Sequence, residues 1–424
     1  MKIHFVGAGG ASMRGLMRIA QSKGISVSGS DWVYGGHGAG NISADVGLVV
    51  YSGAIALDNV ELVEAKKRGI PTVERGEYLG RLCGQFGRVI AVAGTHGKTT
   101  TSAMLGCIMA ESSLHFGGSY VTNGERVDGV RVAGTTLITE ACEYKRSMLH
   151  ISGGIAVITN VDFDHPDCYK DKADYMDAFV DFARGHRTVI HNGDDAKLRG
   201  IGANRRTITF GLGEDNDYCA VDISTNPLAG SAFGVVKGDE YLGKVSLKLF
   251  GLHNVVNALC AITAAHTMGT DWDTIANRLK DFGGLERRLE RLENIDNRAV
   301  YLDYAHHPDE IACAAAAFGM QPVSVVMQPH TYTRLMSLWE RFGESLCGKN
   351  IVRVVVLDVY AAREVRPIDG KGSEEFCQYL SGIRNNVYYA PSFGDAKSHL
   401  LAQCSADETI LLLGAGDVDR VIGG

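Results

Sequence analysis

Short apolar runs alternate with helix-period stretches along the whole chain. Ile3 to Val6 is strand-like, a glycine cluster follows, and Met13 to Ser22 spaces its apolar residues as a helix does. Val46 to Tyr51 reads as a buried strand and Asn59 to Arg68 as a helix. The same alternation resumes with a strand at Val89 to Ala93, a helix at Thr99 to Ala110, and strands at Thr136 to Thr139 and Ile155 to Thr159. Apolar strands followed by helices indicate parallel sheets with crossover connections, so the fold class is α/β. Two stretches depart from the rhythm. Asp222 to Leu249 alternates polar and apolar residues between glycines, as an antiparallel excursion would, and Val255 to Met268 is a strongly apolar helix. After Gly283-Gly284 the strands resume at Ala299 to Leu302, Val323 to Met327, Val352 to Leu357 and Thr409 to Leu413. These blocks predict three domains, 1–87, 88–284 and 285–424.

The ends of these strands hold the candidate chemistry. Gly94-Thr95-His96-Gly97-Lys98-Thr99-Thr100 lies between a strand and a helix, where a phosphate loop belongs. Its glycines let backbone N–H groups approach anionic oxygens, and the helix N-terminus adds partial positive charge. Lys98 can reach the outer phosphates of a nucleotide, and the Thr99 hydroxyl can ligate magnesium. Two residues separate the glycines, where the usual loop has four. Gly7-Ala8-Gly9-Gly10 is a second strand-to-helix turn, but Ser12 stands where a dinucleotide fingerprint has its third glycine. That turn can dock a phosphate or diphosphate without implying a nicotinamide cofactor.

Several polar groups admit two readings on residue type alone. Glu140 ends an apolar strand and is either a magnesium ligand or a solvated strand-end carboxylate. Asp164-His165-Pro166-Asp167 can bind a metal or place a phosphate, or simply form a turn. Asn254 and Asn257 share a helix face and either read a base edge or cap the helix. In the last block Arg287-Arg288 flanks the glycine hinge, and polar clusters follow two successive strands: Asp303-Tyr304-Ala305-His306-His307 and Gln328 to Arg334.

Composition narrows the classes. The chain has 424 residues, 45% hydrophobic and 21% charged, with a net charge of −7 and no long basic run. Nucleic acid is therefore a poor partner. No apolar stretch reaches the ~20 residues of a membrane span, and no signal peptide is expected at the N-terminus. The ten cysteines form no C-x-x-C pair, and the expected setting is a reducing cytoplasm.

Taken in order, I-H-F-V-G-A-G-G, V-S-G-S-D, G-T-H-G-K-T-T-T, D-H-P-D, G-L-H-N-V-V-N-A-L, D-Y-A-H-H-P-D-E, Q-P-H-T-Y-T-R and G-A-G-D resemble the Mur ligases, the ATP-dependent amino-acid ligases of peptidoglycan precursor synthesis. The resemblance spans nearly the whole chain. It implies a Rossmann-like N-terminal domain for a UDP-sugar, a central P-loop ATPase-like domain, and a C-terminal Rossmann-like domain for the amino acid. It implies UDP-N-acetylmuramate and L-alanine as substrates, with ATP and Mg2+, in a cytoplasmic monomer or homodimer.

By the same resemblance Gly94 to Thr100 bind ATP, with Asn254 and Asn257 at adenine, and Arg288 and Asp303 reach ATP across the domain gap. Thr99, Glu140 and His165 serve the metal, His330 and Arg334 hold the amino-acid carboxylate, and His306 and His307 lie near the reacting centre. Gly7, Gly9, Gly10, Asp31, His37, Ser52 and Arg75 meet the UDP-sugar. The first domain is short, because Trp32-Val33-Tyr34 runs almost directly to Gly36-His37 where the family has one more helix–strand unit. The family's common E-A-D-E-S-D is E-A-C-E-Y-K here, and Glu140 is expected to be the ligand in preference to Glu143. Alternatives left open are a recycling ligase that adds a tripeptide to the same sugar nucleotide, a catalytically silent nucleotide-binding relative, and an oxidoreductase built on the first glycine turn.

Overall fold

Four short parallel strands open the chain: β1 (Lys2–Val6), β2 (Ser26–Ser30), β3 (Val46–Tyr51) and β4 (Thr72–Glu74), in the order β2-β1-β3-β4. The computed structural model describes residues 2–165, 168–226, 229–362, 364–366 and 370–423. Side-chain alternation along these strands feeds two layers. Phe5, Leu48, Val50 and Val73 pack with Leu16 and Ile19 of α1 (Ala11–Ser22). Val6, Val46 and Val49 face the other way, onto Leu62 and Ala65 of α2 (Val60–Lys67). Helix α3 (Arg75–Cys83) adds Leu79 and Leu82 to the first layer, and the same core continues through Val89, Ala91 and Ala156.

The next sheet contains β5 (Arg88–Ala93), β6 (Ser113–Thr122), β7 (Glu125–Arg131), β8 (Thr136–Glu140), β9 (Gly153–Ile158), β10 (His186–Asn192), β11 (Arg206–Gly211), β12 (Tyr218–Asn226), β13 (Gly230–Lys237), β14 (Glu240–Leu247) and β15 (Phe282–Leu285). Its order is β14-β13-β12-β11-β10-β9-β5-β8-β6-β15, with β7 paired antiparallel to β6. β5 sits between its parallel neighbours β8 and β9, so its carboxyl end opens at the middle of the sheet. The antiparallel excursion is present as β12, β13 and β14, and begins at Tyr218. Helices α4 (Lys98–Ile108), α5 (Lys172–Arg184), α6 (Leu252–Thr267) and α7 (Trp272–Asp281) complete this part. Apolar α6 is buried along most of its length, from Ala258 to Ala265.

The sequence pattern passed over the hairpin β6–β7. His115, Gly117, Gly118, Asp128 and Gly129 interrupt its alternation, and a register shift falls between His115 and Ser119. β10 and β11 were passed over as well: their runs, H-R-T-V-I-H-N and R-T-I-T-F-G, carry too few apolar residues to stand out.

The chain forms two compact units, Met1–Gly283 and Gly284–Gly424. The second holds β16 (Glu290–Arg291), β17 (Val300–Asp303), β18 (Val323–Met327), β19 (Ile351–Leu357), β20 (Val387–Ala390) and β21 (Thr409–Leu413), in the order β16-β17-β21-β18-β19-β20. All its pairs are parallel except β16–β17. The neighbouring carboxyl ends of β17, β21 and β18 form its crevice, with α8 (Pro308–Ala316) and α9 (Tyr332–Ser337) starting just beyond.

Candidate active site

The phosphate loop runs from the end of β5 into α4, and two of its residues must be glycine. Gly94 has φ +140°, and a Cβ there would lie 2.0 Å from Thr159 Oγ1. Gly97 has φ +80° and caps α4, and a Cβ there would lie 2.3 Å from Asn257 Oδ1. Neighbouring loops hold the turn in shape. Thr95 Oγ1 donates to the Asp162 carbonyl (2.8 Å) and contacts Tyr175 Oη (3.0 Å), and His96 N donates to Asn160 Oδ1 (2.9 Å). Thr95 and His96 thus brace the loop, while Lys98, Thr99 and Thr100 form the first turn of α4. Lys98 Nζ is curled back on its own turn, donating to the carbonyls of Gly94 and Thr95 (3.1 Å to Thr95) and to Glu143 Oε1 (3.0 Å).

Two carboxylates face this lysine. Glu140, at the end of β8, has an Oε1 that is buried without a hydrogen-bond partner among the described residues. Burial raises its pKa, with Thr99 and Lys98 beside it pulling the other way. Glu143 is 3% exposed and has the same kind of orphan, Oε2. Its Oε1 lies 3.6 Å from His165 Nε2, and the Tyr144 and His165 rings meet edge-on at 5.1 Å. The structure therefore groups Glu140 with Thr99 and Lys98, and His165 with Glu143. Among the described residues no group of three or more His, Cys, Asp or Glu is arranged so that it could hold a metal ion. Asp167 and Pro166 lie outside the described residues. Glu143 was set aside in favour of Glu140 on sequence alone; the three-residue spacing of the two acids around a strand end was the available signal.

The two asparagines of α6 part company. Asn254 is 8% exposed and its Nδ2 donates to the Phe250 carbonyl (2.9 Å), tying the first turn of α6 to the preceding loop; it is not the N-cap, a position Gly251 fills without a side-chain hydrogen bond. Asn257 lies against Gly97 in the phosphate loop.

The first glycine turn is held from behind. Gly7 and Ala8 donate to the Ser30 carbonyl (both 2.9 Å), and Gly9 donates to Asp31 Oδ2 (3.1 Å). Asp31 also accepts from Val33 N (3.3 Å), and Ser52 packs under Gly7, 3.0 Å from where a Cβ would be. His37 is mostly buried, its Nδ1 3.5 Å from Glu61 Oε1 and its Nε2 without a hydrogen-bond partner among the described residues. Glu61, fully buried on α2, was missed by the sequence pattern. Burial would raise its pKa, but hydrogen bonds from His4, Ser30, Asn41 and Gly38 outweigh that and hold it at about 2. Arg75 reaches Ser12 Oγ through Nη1 and Ser147 Oγ through Nη2 (3.3 Å each), so it spans from the glycine turn to the segment after Glu143.

In the second unit, Asp303 is 7% exposed and both its oxygens accept backbone N–H groups, from Leu289 and Ala305 (2.8 Å each). Burial raises its pKa, against the pull of Arg288. This makes Asp303 a brace for the loop that carries Arg288, whose guanidinium lies 5.8 Å from the Tyr304 ring centre. Arg334 Nη1 lies 3.1 Å from His330 Nδ1, the His330 and His306 rings are 5.6 Å apart, and Tyr360 stacks on His330 at 5.7 Å. Burial lowers the pKa of His306 and of His330. His306 and His307 both donate their backbone N–H to Glu310 at the start of α8.

Comparison with known proteins covers the chain from end to end. The pattern described as "Mur ligase family, catalytic domain" matches residues 2–87, "Mur ligase middle domain" residues 92–265, and "Mur ligase, glutamate ligase domain" residues 287–416. The UDP-N-acetylmuramate–L-alanine ligase of Acetivibrio thermocellus is 36% identical, with 99% of this chain and 94% of the relative covered. That of Clostridium acetobutylicum is 36% identical, with 99% and 96% covered. The crystal structure of UDP-N-acetylmuramate–alanine ligase from Thermotoga maritima superimposes with a TM-score of 0.80 at 26% identity, covering 100% of this chain and 97% of that one.

Proposed function

The chain belongs to the Mur ligase family, and from that premise we infer that it joins L-alanine to the carboxylate of UDP-N-acetylmuramate at the expense of ATP, in peptidoglycan precursor synthesis. The observation that carries this reading is full-length kinship to L-alanine-adding ligases, together with Lys98, Thr99 and Glu140 grouped at one strand crevice.

A carboxylate is a poor acylating agent at neutral pH. The sugar carboxylate therefore attacks the γ-phosphorus of ATP, giving an acyl phosphate and ADP. The alanine amine then attacks the acyl carbon, and phosphate leaves from the tetrahedral intermediate as the amide forms. Both steps bring anions together, so catalysis is mostly positioning and charge neutralisation. The N–H groups of the Gly94–Thr100 loop cradle the phosphates, and Lys98 exchanges its present partners for phosphate oxygens. Thr99 and Glu140 would hold Mg2+, for which the unpartnered Glu140 Oε1 is a fitting ligand; bound there, the ion would neutralise phosphate oxygens. Asn257, against the loop, is the better placed of the two asparagines for the nucleotide.

The first glycine turn, with Asp31, Ser52, His37 and Arg75, holds the sugar nucleotide. Arg334 and His330 receive the alanine carboxylate. Burial lowers the pKa of His306 and so favours its neutral imidazole, which can take the proton that the ammonium must lose. The boundaries proposed for the three domains remain 1–87, 88–284 and 285–424. A reducing cytoplasm suits the ten cysteines, none of which forms a disulfide among the described residues, and no helix among the described residues is long and apolar enough to cross a membrane.

The test is a ligase assay across UDP-sugars and amino acids with product mass measured. The expected product is UDP-N-acetylmuramoyl-L-alanine, with ADP and phosphate. Phosphate release stimulated by a tripeptide and not by L-alanine would overturn the assignment.

A further inference from the structure

Immediately after Glu143 the backbone does something uncommon. Lys145 (φ 51°, ψ 32°) and Arg146 (φ 55°, ψ 23°) are consecutive non-glycine residues in the left-handed region. Side chains with a Cβ are strained in that region, and strain of this kind persists where the surroundings over-determine it. Its effect here is to send three nearby side chains to three different elements. Glu143 meets Lys98 of the phosphate loop (3.0 Å), Lys145 Nζ reaches the Gly53 carbonyl beyond β3 (2.8 Å), and Arg146 Nη2 binds Asp174 Oδ1 on α5 (2.6 Å).

Arg146 is thereby tied down, with its guanidinium 5.4 Å from the Tyr169 ring. Lys145 is exposed, its ammonium donating to one backbone carbonyl and standing over the Tyr144 ring (5.5 Å to its centroid), with no carboxylate in ion-pair range among the described residues. Gly53 follows Ser52, which packs under Gly7 of the first glycine turn. The ammonium therefore stands between the turn suited to a diphosphate and the loop suited to the transferred phosphate.

We propose that Lys145 is a substrate-binding residue that takes anionic oxygens of the acidic sugar nucleotide, the strained Lys145-Arg146 pair being kept to aim it there. This rests on the proposed ligase reading. A neutral backbone carbonyl is a weak partner for an ammonium, and an anionic oxygen displaces it. The diphosphate and the reacting carboxylate offer the same chemistry to an ammonium.

The experiment compares wild type, Lys145→Gly and Lys145→Arg. Glycine removes the charge while relaxing the left-handed backbone, so the fold is retained, and thermal melting checks this. Calorimetric binding is measured for UDP-N-acetylmuramate, for UDP-N-acetylglucosamine, which lacks the carboxylate, and for ATP. In Lys145→Gly the KM and dissociation constant for UDP-N-acetylmuramate should rise roughly 10- to 100-fold, the range for losing one charged hydrogen bond. ATP binding should be unchanged, and Lys145→Arg should restore most of the loss. Weakening of both UDP-sugars identifies the diphosphate as the contact; weakening of the muramate compound alone identifies the carboxylate. Unchanged sugar-nucleotide affinity in a folded Lys145→Gly protein, or an equal loss for ATP, overturns the proposal. Absence of L-alanine-dependent product from the wild type would instead overturn the ligase reading, and the binding measurement does not depend on turnover.

Discussion

Lys98 is held by two carbonyls of its own loop and by Glu143, so its removal takes away a ligand contact and no core packing. Lys98→Ala should lower kcat/KM by roughly 10³-fold or more, since phosphoryl transfer rests on charge neutralisation. Its circular dichroism and melting temperature should stay near wild type, and turnover within tenfold of wild type would remove Lys98 from the site. Arg334→Ala should mainly raise the KM for L-alanine, by roughly 10- to 100-fold, because the carboxylate it pairs with is present before and after reaction. Steady-state kinetics with alanine varied at saturating ATP and sugar nucleotide checks this. A third prediction concerns His115, fully buried between Thr139 and Ser12, where burial lowers its pKa from 6.5 to about 4. Between those values the unfolded chain binds more protons than the folded one, so stability falls as pH drops from 6.5 towards 4. The contribution at stake is about 3 kcal/mol by linkage, and urea unfolding across that range should show a shallower loss in His115→Gln.

At the scale of elements, the strands that a pattern of apolar residues reveals are those buried on both faces. β3, β18 and β21 were legible to the residue because no charged residue interrupts them and Ser324 is only a small break within β18. β6, β7, β10 and β11 were not, since their polar residues are satisfied only by partners brought in from elsewhere, as His115 is by Thr139. The phosphate loop was legible because its spacing is dictated by local backbone geometry, whereas the choice between Glu140 and Glu143 depended on which carboxylate the turn after β8 aims at Lys98. Packing between elements was invisible for the same reason. α3 lies so close to the 3-10 segment Tyr144–His150 that a Cβ on Gly80 would sit 2.2 Å from the His150 carbonyl oxygen. Gly80→Ala should force these elements apart and destabilise by about 1–3 kcal/mol, the usual range for overpacking. It should also raise the KM for the sugar nucleotide more than that for ATP, because Arg75, which reaches Ser12 beside the first glycine turn, begins α3. Chemical denaturation and paired KM measurements check both parts.

For the whole molecule, the order of motifs identified the family where each motif alone left alternatives, because eight motifs in one order coincide by chance far more rarely than any one of them. What the order could not supply was how a first sheet with a shortened second connection closes. Glu61 supplies it, gathering His4, Ser30, His37, Gly38 and Asn41 around one buried carboxylate. Since the unit Met1–Gly283 carries the phosphate loop, ATP should raise the melting temperature of the transition that unfolds it. At 100 times the dissociation constant the gain is about 2.7 kcal/mol, which calorimetry reads as a shift of several degrees; Lys98→Ala should show much less.

The strand order of the largest sheet has a consequence for how the chain is made. β9 to β14 lie side by side in the order in which they leave the ribosome, so that half can grow by adding each new strand to the last. The other half cannot. β6 waits for β15 to cover its flank, and more than 150 residues separate Thr122 from Phe282. Until that late strand emerges, an unpaired edge stays open next to the half-built nucleotide site, which is the situation in which nascent chains recruit chaperones or stick to one another. Truncation just before Phe282 would freeze the protein in that state, which makes the last strand of the first unit a completion signal for the sheet that binds ATP.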